Sequence, residues 1–214
     1  MDNPVNFQAE KQLVLEYLSA LDDADHTNVM QIIDRFFSPQ CRFEGVYPFN
    51  VLSGPGEIAS HVWQPLLSSF TNLQRRQDIF IAGNGDADTG IWVMSMGHLM
   101  GLFERPWLGI QPTRRVSMLR YAEFFKVADG YITETGFFID IIDVMRQAGV
   151  YPLPPPMGEH MTVPGPRGNH GQLFQPSDPA EAELTMTLIM DMVSDLVHLN
   201  ESGNDHCSYD FLAR

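Results

Sequence analysis

Residues 130 to 150, GYITETGFFIDIIDVMRQAGV, open like a strand and close like a helix, and Asp140 sits at the seam. Phe137, Phe138 and Ile139 precede it, and Ile141 and Ile142 follow. A carboxylate among so many apolar neighbours is costly to bury unpaired. Two roles fit it. As the N-cap of a helix over 141–148 it would accept backbone N–H bonds at the positive end of the helix, which favours the anion. As a proton acceptor it needs the opposite setting, partial desolvation, which makes it basic enough to take a proton from carbon. Alternation along the strand puts Ile132, Glu134, Gly136, Phe138 and Asp140 on one face. The second role therefore predicts a cavity walled by Phe138 and ended by Asp140.

Other side chains could serve such a cavity. His98, in SMGHLMGLF, shares a face with Trp92, Met94 and Met96. It reads either as a hydrogen-bonded core histidine or as a second catalytic group that polarises a carbonyl. Tyr121 and Glu123 share one face of SMLRYAEFF, and Arg120 shares the other with Met118. A tyrosine hydroxyl turned into a cavity can donate to an oxyanion. Glu123 or Glu134 is the carboxylate that a two-acid hydrolysis would need beside Asp140. His61 and Trp63, on a helix, read as the cavity mouth or as ordinary packing. His160 and His170 lie ten apart in an irregular stretch and make no metal motif. No metal site is expected.

Positioning these groups falls to elements whose periods are legible. In EKQLVLEYLSALDD, Val14, Tyr17, Leu18 and Leu21 fall at helical spacing. A second helix over HTNVMQIIDRFFSPQ, capped by Thr27 or Asn28, turns Met30, Ile33 and Phe37 inward and stops at Pro39. CRFEGVY reads as a short strand. GPGEIASHVWQPLLSSF is a third helix, kinked or split by Pro65. Strands follow: QDIFIAG, a turn at NGDADTG, IWVMSMGHLMGLF, VSMLRYAEFFKV and YITETGFFI. Gly149 is placed to end the last helix of this run. Helices first and an antiparallel meander second give α+β, with the helices on one face of a curved sheet. Residues 1–150 form that domain. Residues 151–180, rich in Pro and Gly, form a linker or an arm laid on the surface. Residues 181–214 begin another helix whose opening resembles that of the first. It is either the start of a second repeat or a helix docked on the domain or on a partner subunit.

The composition narrows the partners. The 214 residues carry 13 Lys and Arg against 27 Asp and Glu, a formal charge of −14, with no basic run. Phosphate backbones and anionic lipid surfaces are poor partners for such a chain, so neither nucleic acid nor membrane is expected. The most apolar late stretch is interrupted by Asp191 and Asp195. Cys41 and Cys207 form neither a zinc spacing nor a disulfide framework, and the N-terminus lacks a signal-peptide pattern, which predicts a cytoplasmic protein.

The ordered motifs resemble a known family. DG-x-I-x-E at 129–134, Asp140 six residues after Glu134, and Gln147-Ala148-Gly149 resemble the closing segment of SnoaL-like polyketide cyclases. GPGEI, FIAGNGD, W-V-x-x-x-G, GHLMGLF and WLGIQPTRR extend the likeness backwards, over roughly residues 10 to 150. Gln111 stands where that family has a Pro, Arg114 where it has a Gly, and Gly136 where it often has a Trp. The resemblance implies the nuclear-transport-factor-two-like, or cystatin-like, cone: a curved, mostly antiparallel sheet with N-terminal helices on its concave face and a ligand cavity between. It implies intramolecular aldol ring closure of a hydrophobic carbonyl compound, without metal or organic cofactor, and the chain is expected to form a homodimer. Asp140 stands at the family's acid/base position. His98 would assist, and His61, Trp63, Trp92, Met94, Tyr121 and Phe138 would line the pocket. A non-catalytic ligand-binding or dimerisation module of the same fold is the alternative.

Overall fold

The computed structural model describes residues 7–85, 90–155, 157, 158, 165, 166, 168 and 170–201, with side chains as far as 198. The hairpin tip at 86–89, His160 and Cys207 lie outside the described residues. The chain divides into two units, Asn6–Gln175 and one that holds the C-terminal helix.

Helix α1, Gln8–Asp22, buries Val14, Tyr17, Leu18 and Leu21, as its spacing predicts. Helix α2, Val29–Phe36, is shorter than expected. It turns Val29, Ile33 and Phe36 inward and leaves Met30 36% exposed. Phe37 is buried, but as the first residue of strand β1, Phe37–Gly45. Pro39 explains the early stop, because the residue before a proline is driven out of the helical region and the helix cannot run up to it. Pro39 is tolerated inside β1 because the pairing with the neighbouring strand skips from Phe37 to Arg42. The turn before α2 is held by Asp25, whose Oδ1 accepts the N–H groups of Thr27 at 2.7 Å and Asn28 at 3.1 Å.

A short strand, β2, Val51–Ser53, precedes α3, Gly54–Ile58. Pro65 does not end the third helical segment. The helix widens into a π-helical turn, Ala59–Trp63, and continues as α4, Gln64–Ser69. Proline has no N–H to return to the preceding turn, and a π turn absorbs that loss. Strands β3 (Phe70–Asn84), β4 (Ile91–Phe103), β5 (Val116–Ala128) and β6 (Tyr131–Ile139) then form the meander. The six-stranded sheet has the order β2-β1-β6-β5-β4-β3 and is antiparallel except where β1 meets β6. The architecture is the α+β cone: an open, curved sheet with helices on its concave face.

Two bulges set which side chains enter the cone. In β3 the register slips between Gln77 and Ile79, leaving Asp78 unopposed. Gly97 of β4 makes room there, since a Cβ on it would lie 2.0 Å from the Arg76 carbonyl oxygen. In β6 the partner of Val127 is Ile132 and that of Lys126 is Glu134, so Thr133 is the extra residue. One extra residue inverts the alternation beyond it. Ile132 is buried, and so are Thr135, Phe137 and Ile139, whereas Phe138 is 55% exposed. Phe138 therefore lies outside the cone, contrary to simple alternation. Phe137 takes the inner place, its ring 5.6 Å from Trp63 and 6.2 Å from Phe43.

Helix α5, Ile141–Gln147, ends at Gly149, whose φ of 78° suits a residue without a side chain. Beyond it the described chain has no helix until α6 and returns to the free edge of β3. Phe80 donates its N–H to Gly171 and accepts the N–H of Leu173, each at 2.8 Å. Lys11, 4% exposed, donates to the Leu173 carbonyl at 2.7 Å and to that of Gln175 at 3.3 Å. This arm covers an otherwise unpaired strand edge. In the second unit, α6, Pro179–Glu201, exposes apolar side chains around its circumference, among them Leu184, Leu188 and Leu196. No helix among the described residues is long and apolar enough to cross a membrane.

The inverted alternation has a direct test. Phe137→Ala should cost about 3–5 kcal/mol in urea unfolding, as for a large buried aromatic. Phe138→Ala, measured at low protein concentration, should cost about 0.5 kcal/mol or less. The reverse ranking would show that the bulge at Thr133 is misplaced.

Candidate active site

At the junction of β6 and α5 lies a groove of about 860 Å³ with mostly apolar walls. Val46, Tyr47 and Pro48, after β1, form one side, and Leu108 and Ile110, before β5, form another. Ile139 to Ile142 and Met145 complete it, so Asp140 is its carboxylate. The groove follows from the chain path. β6 ends on an inward Ile139, the chain turns at Asp140, and the first turn of α5 presents Ile141 and Ile142.

Asp140 is the N-cap of α5. Its Oδ1 accepts the N–H of Asp143 at 2.9 Å, and its own N–H donates to the Arg120 carbonyl at 2.9 Å. Capping and a place on the groove wall are compatible, since the cap engages only Oδ1. The side chain is exposed, however, and the enclosed cavity beside Phe138 that alternation predicts is not its setting. Helix α5 is pinned where it starts. Gln147 donates to the Met118 carbonyl at 2.6 Å and accepts the Met118 N–H at 3.0 Å, fastening the helix to β5. Asp143 accepts from Arg146 at 2.7 Å and from Gln147 at 2.7 Å.

The remaining expected site residues are scattered. Trp92, Met94 and His98 do share a face, but it is the outer one, because Val93, Ser95 and Leu99 take the inner positions of β4. His98 Nδ1 lies 3.4 Å from Asp78 Oδ2, beside the β3 bulge. Phe138 joins that outer face, its ring 6.0 Å from Phe124. Trp63 is 1% exposed and belongs to the core. His61 is exposed on the π turn, with Nδ1 3.0 Å from the Glu57 carbonyl oxygen and 3.1 Å from Ser60 Oγ. None of these six lines the groove.

Tyr121 enters the cone and meets a polar cluster. Its hydroxyl and Ser95 Oγ are 2.9 Å apart, and Gln77 donates to that same Oγ at 2.9 Å. The Arg75 guanidinium stands 5.0 Å over the Tyr121 ring. Arg75 Nε donates to Asp22 Oδ1 at 3.0 Å, and its Nη1 is 4.0 Å from Glu123 Oε2. Burial pushes the Glu123 carboxyl up to about 7, with Arg75 opposing and Asp22 adding to the rise. Burial also raises the Tyr121 and Tyr17 hydroxyls. Burial disfavours charge on Arg75, but Tyr121, Asp22 and Glu123 outweigh it and keep it protonated. Sequence reasoning missed Arg75 and Asp22. Arg75 lies in QRRQD, a stretch in which every residue is polar, so alternation gives no sign of which arginine turns inward. Asp22 looks like a solvated helix end.

Glu123 carries a pH signature. The folded chain keeps its proton where the unfolded chain, near the ordinary value of 4.5, has released it. Stability is thus full below pH 4.5, declines from 4.5 to 7 and stays reduced above, by on the order of 3 kcal/mol. Glu123→Gln should flatten that decline and unfold at higher temperature than the parent at pH 8. An unchanged slope in thermal melts from pH 4.5 to 8 would refute the burial of this carboxyl.

No family model matches the chain, and no curated protein matches it. Solved structures do. AclR from Streptomyces galilaeus, a proposed hydroxylase, is 19% identical, with 69% of this chain and 90% of that one covered and a TM-score of 0.55. TsrD from Streptomyces laurentii is 18% identical, covering 68% and 98%, with a TM-score of 0.54. IdmH from Streptomyces antibioticus, a proposed polyketide cyclase, is 17% identical, covering 63% and 97%, with a TM-score of 0.50. At such identities the likeness shows the fold alone, the nuclear-transport-factor-two-like cone that the motifs imply.

Proposed function

We propose that the groove at the end of β6 is the active site of a cofactor-free acid/base catalyst that acts on a hydrophobic carbonyl compound, in the manner of SnoaL-like polyketide cyclases. One observation carries this reading: a single carboxylate, Asp140, set in the wall of a groove of about 860 Å³ that is otherwise nearly all apolar. Such a groove takes an apolar molecule and orients it by few polar contacts. In the reaction, Asp140 removes a proton α to one carbonyl, and the enolate carbon attacks a second carbonyl of the same molecule. A carbon–carbon bond forms, the second carbonyl becomes an alkoxide, and protonated Asp140 returns the proton to it. No atom is lost and no electron is exchanged with a cofactor. Confining both carbons in one groove supplies much of the rate. The bond from the Asp143 N–H holds one carboxylate oxygen in place, leaving the other for the proton. His98 and Tyr121 take no part, since one lies on the outer face and the other is bonded to Ser95 inside the cone.

Asp140→Asn separates the cap from the base. Asparagine caps as well as aspartate, so thermal stability should change by only a few tenths of a kcal/mol. Deuterium exchange at the α-carbon of a bound hydrophobic β-keto ester, followed by NMR, should stop while binding persists. Exchange at the parent rate in the variant would remove Asp140 from the chemistry. Exchange in neither protein, with tight binding in both, would favour the ligand-binding module.

A second reading concerns assembly. The outer sheet face carries Phe138, 55% exposed, and Met118, 40% exposed, beside the partly buried Trp92 and Met94. We infer that a second copy of the chain covers this face, since a contiguous apolar patch of this kind marks an interaction surface. Sedimentation should give a dimer for the parent and a monomer for Phe138→Glu. A parent that remains monomeric at high micromolar concentration would end this reading.

A further inference from the structure

On the acid/base reading of the groove, on which this inference rests, proton removal moves negative charge from Asp140 to a carbonyl oxygen. Between apolar walls that oxygen needs a hydrogen-bond donor. Three polar side chains line the groove, Asp140, Gln111 and Tyr47, and no Lys, Arg or His is among its lining residues. Asp140 is the base and, ionised, has no proton to donate. Tyr47 is 83% exposed, and a hydroxyl bathed in water gains little by turning to a substrate. The backbone N–H groups of Val46, Ile110, Asp140 and Val150 are committed to carbonyls of the chain itself. The Gln111 carboxamide, by contrast, bonds to no group among the described residues, whereas those of Gln77, Gln147 and Gln172 all donate.

The turn that carries Gln111 is fixed at both ends. Trp107 and Ile110 exchange two backbone bonds, the Trp107 N–H donating to the Ile110 carbonyl at 3.1 Å and the Ile110 N–H to the Trp107 carbonyl at 2.8 Å. Leu108 and Gly109 between them have φ of 50° and 80°. A tight two-residue turn needs that combination, and a residue with a Cβ resists it. Leu108 keeps it because its neighbours are anchored: the Trp107 ring lies 6.4 Å from that of Phe49 and 5.7 Å from that of Phe70, and Ile110 is 5% exposed. We propose that Gln111, the residue that leaves this turn, is a catalytic residue of the groove. Its Nε2 donates to the oxygen of the carbonyl whose α-proton Asp140 takes. The C–H bond breaks, its electron pair forms the carbon–carbon double bond of the enolate, and the carbonyl pair moves onto oxygen. Gln111 holds that charge by a hydrogen bond and keeps its own proton. The proton that leaves and the oxygen that gains charge belong to neighbouring carbons, so base and donor have to address the substrate from separate walls. Asp140 stands at the start of α5 and Gln111 on the segment before β5, and both line the groove. In a compound with several carbonyls, the one that meets Gln111 is the one enolised, so this side chain also selects which carbon becomes the nucleophile.

The test uses the full chain and ethyl 3-oxooctanoate, with deuterium exchange at its α-carbon measured above the uncatalysed rate. Gln111→Met keeps the length of the side chain and removes the donor. It should slow exchange at least about tenfold while the Kd, read from the shift of the Met145 methyl, changes less than about threefold, because a donor aimed at developing charge favours the enolate over the ketone. Gln111→Glu, which presents only acceptors, should slow exchange at least as much, and Tyr47→Phe should leave it within about twofold of the parent. In the parent labelled with nitrogen-15, the Gln111 side-chain amide, assigned by its loss in Gln111→Met, should shift on saturation with the ester. Exchange in the parent that stops in Asp140→Asn but runs at the parent rate in Gln111→Met overturns the role of Gln111 and leaves that of Asp140 standing. Loss of exchange in Tyr47→Phe but not in Gln111→Met makes Tyr47 the donor and overturns it too. Absence of exchange in the parent removes the acid/base reading and this inference together. Should Gln111→Met fail to fold, the amide shift on the parent and the rate of Gln111→Glu decide.

Discussion

The unopposed Thr133 in β6 governs what the cone contains. Because β5 skips it, Thr135, Phe137 and Ile139 turn inward, and Phe138 turns out. Phe137 then fills the space among Phe43, Phe49 and Trp63 and ties the sheet to the helical layer. The same shift decides that β6 leaves the core through Ile139, so that Asp140 emerges at the rim with its N–H on the Arg120 carbonyl. Without the extra residue, Phe138 would compete for the interior and Phe137 would lie in solvent. A one-residue slip thus exchanges the whole content of one strand face.

The interior is not uniformly apolar, and its charges are arranged so that none stands alone. Arg75 bonds to Asp22, lies near Glu123 and stacks on Tyr121. An unpaired guanidinium at that depth would cost several kcal/mol. Asp22 supplies the counter-charge where it remains in reach of water, while Glu123, deeper in, holds its proton to near neutral pH. The Tyr121 hydroxyl is drawn into the chain Gln77–Ser95–Tyr121, which links three adjacent strands. This network sets the inner surface of the cone much as the aromatic cluster sets its other end.

Groove and outer face divide the remaining apolar surface between them. The groove is walled by loops that flank β1 and β5, so its shape depends on segments far apart in sequence that the closing helix brings together. Gln147 is the fastening, because its amide holds both backbone groups of Met118 and so fixes the angle at which α5 leaves the sheet. The outer face, rich in Met and aromatic side chains, owes its existence to the same alternation that fills the interior. Every second residue of four long strands has to point away from the helices.

The sequence by itself determined the order of elements, the α+β class and the inward positions of the first helices. Val14, Tyr17, Leu18 and Ile33 announce themselves by helical spacing, and Gly149 by the turn it must make. It also isolated Asp140, since a carboxylate between two apolar runs is visible in one dimension. What it could not supply is the facing of each strand. Alternation groups His98, Trp92 and Met94 on one face, but it is silent on which of two faces meets the helices. A bulge such as that at Thr133 leaves no mark in composition, and it placed Phe138 outside. Arg75, Asp22 and Glu123 come from α1, β3 and β5, and only the closed cone brings them within reach of one another. Periodicity reports local geometry, whereas burial of a charge is decided by what lies across the interior from it.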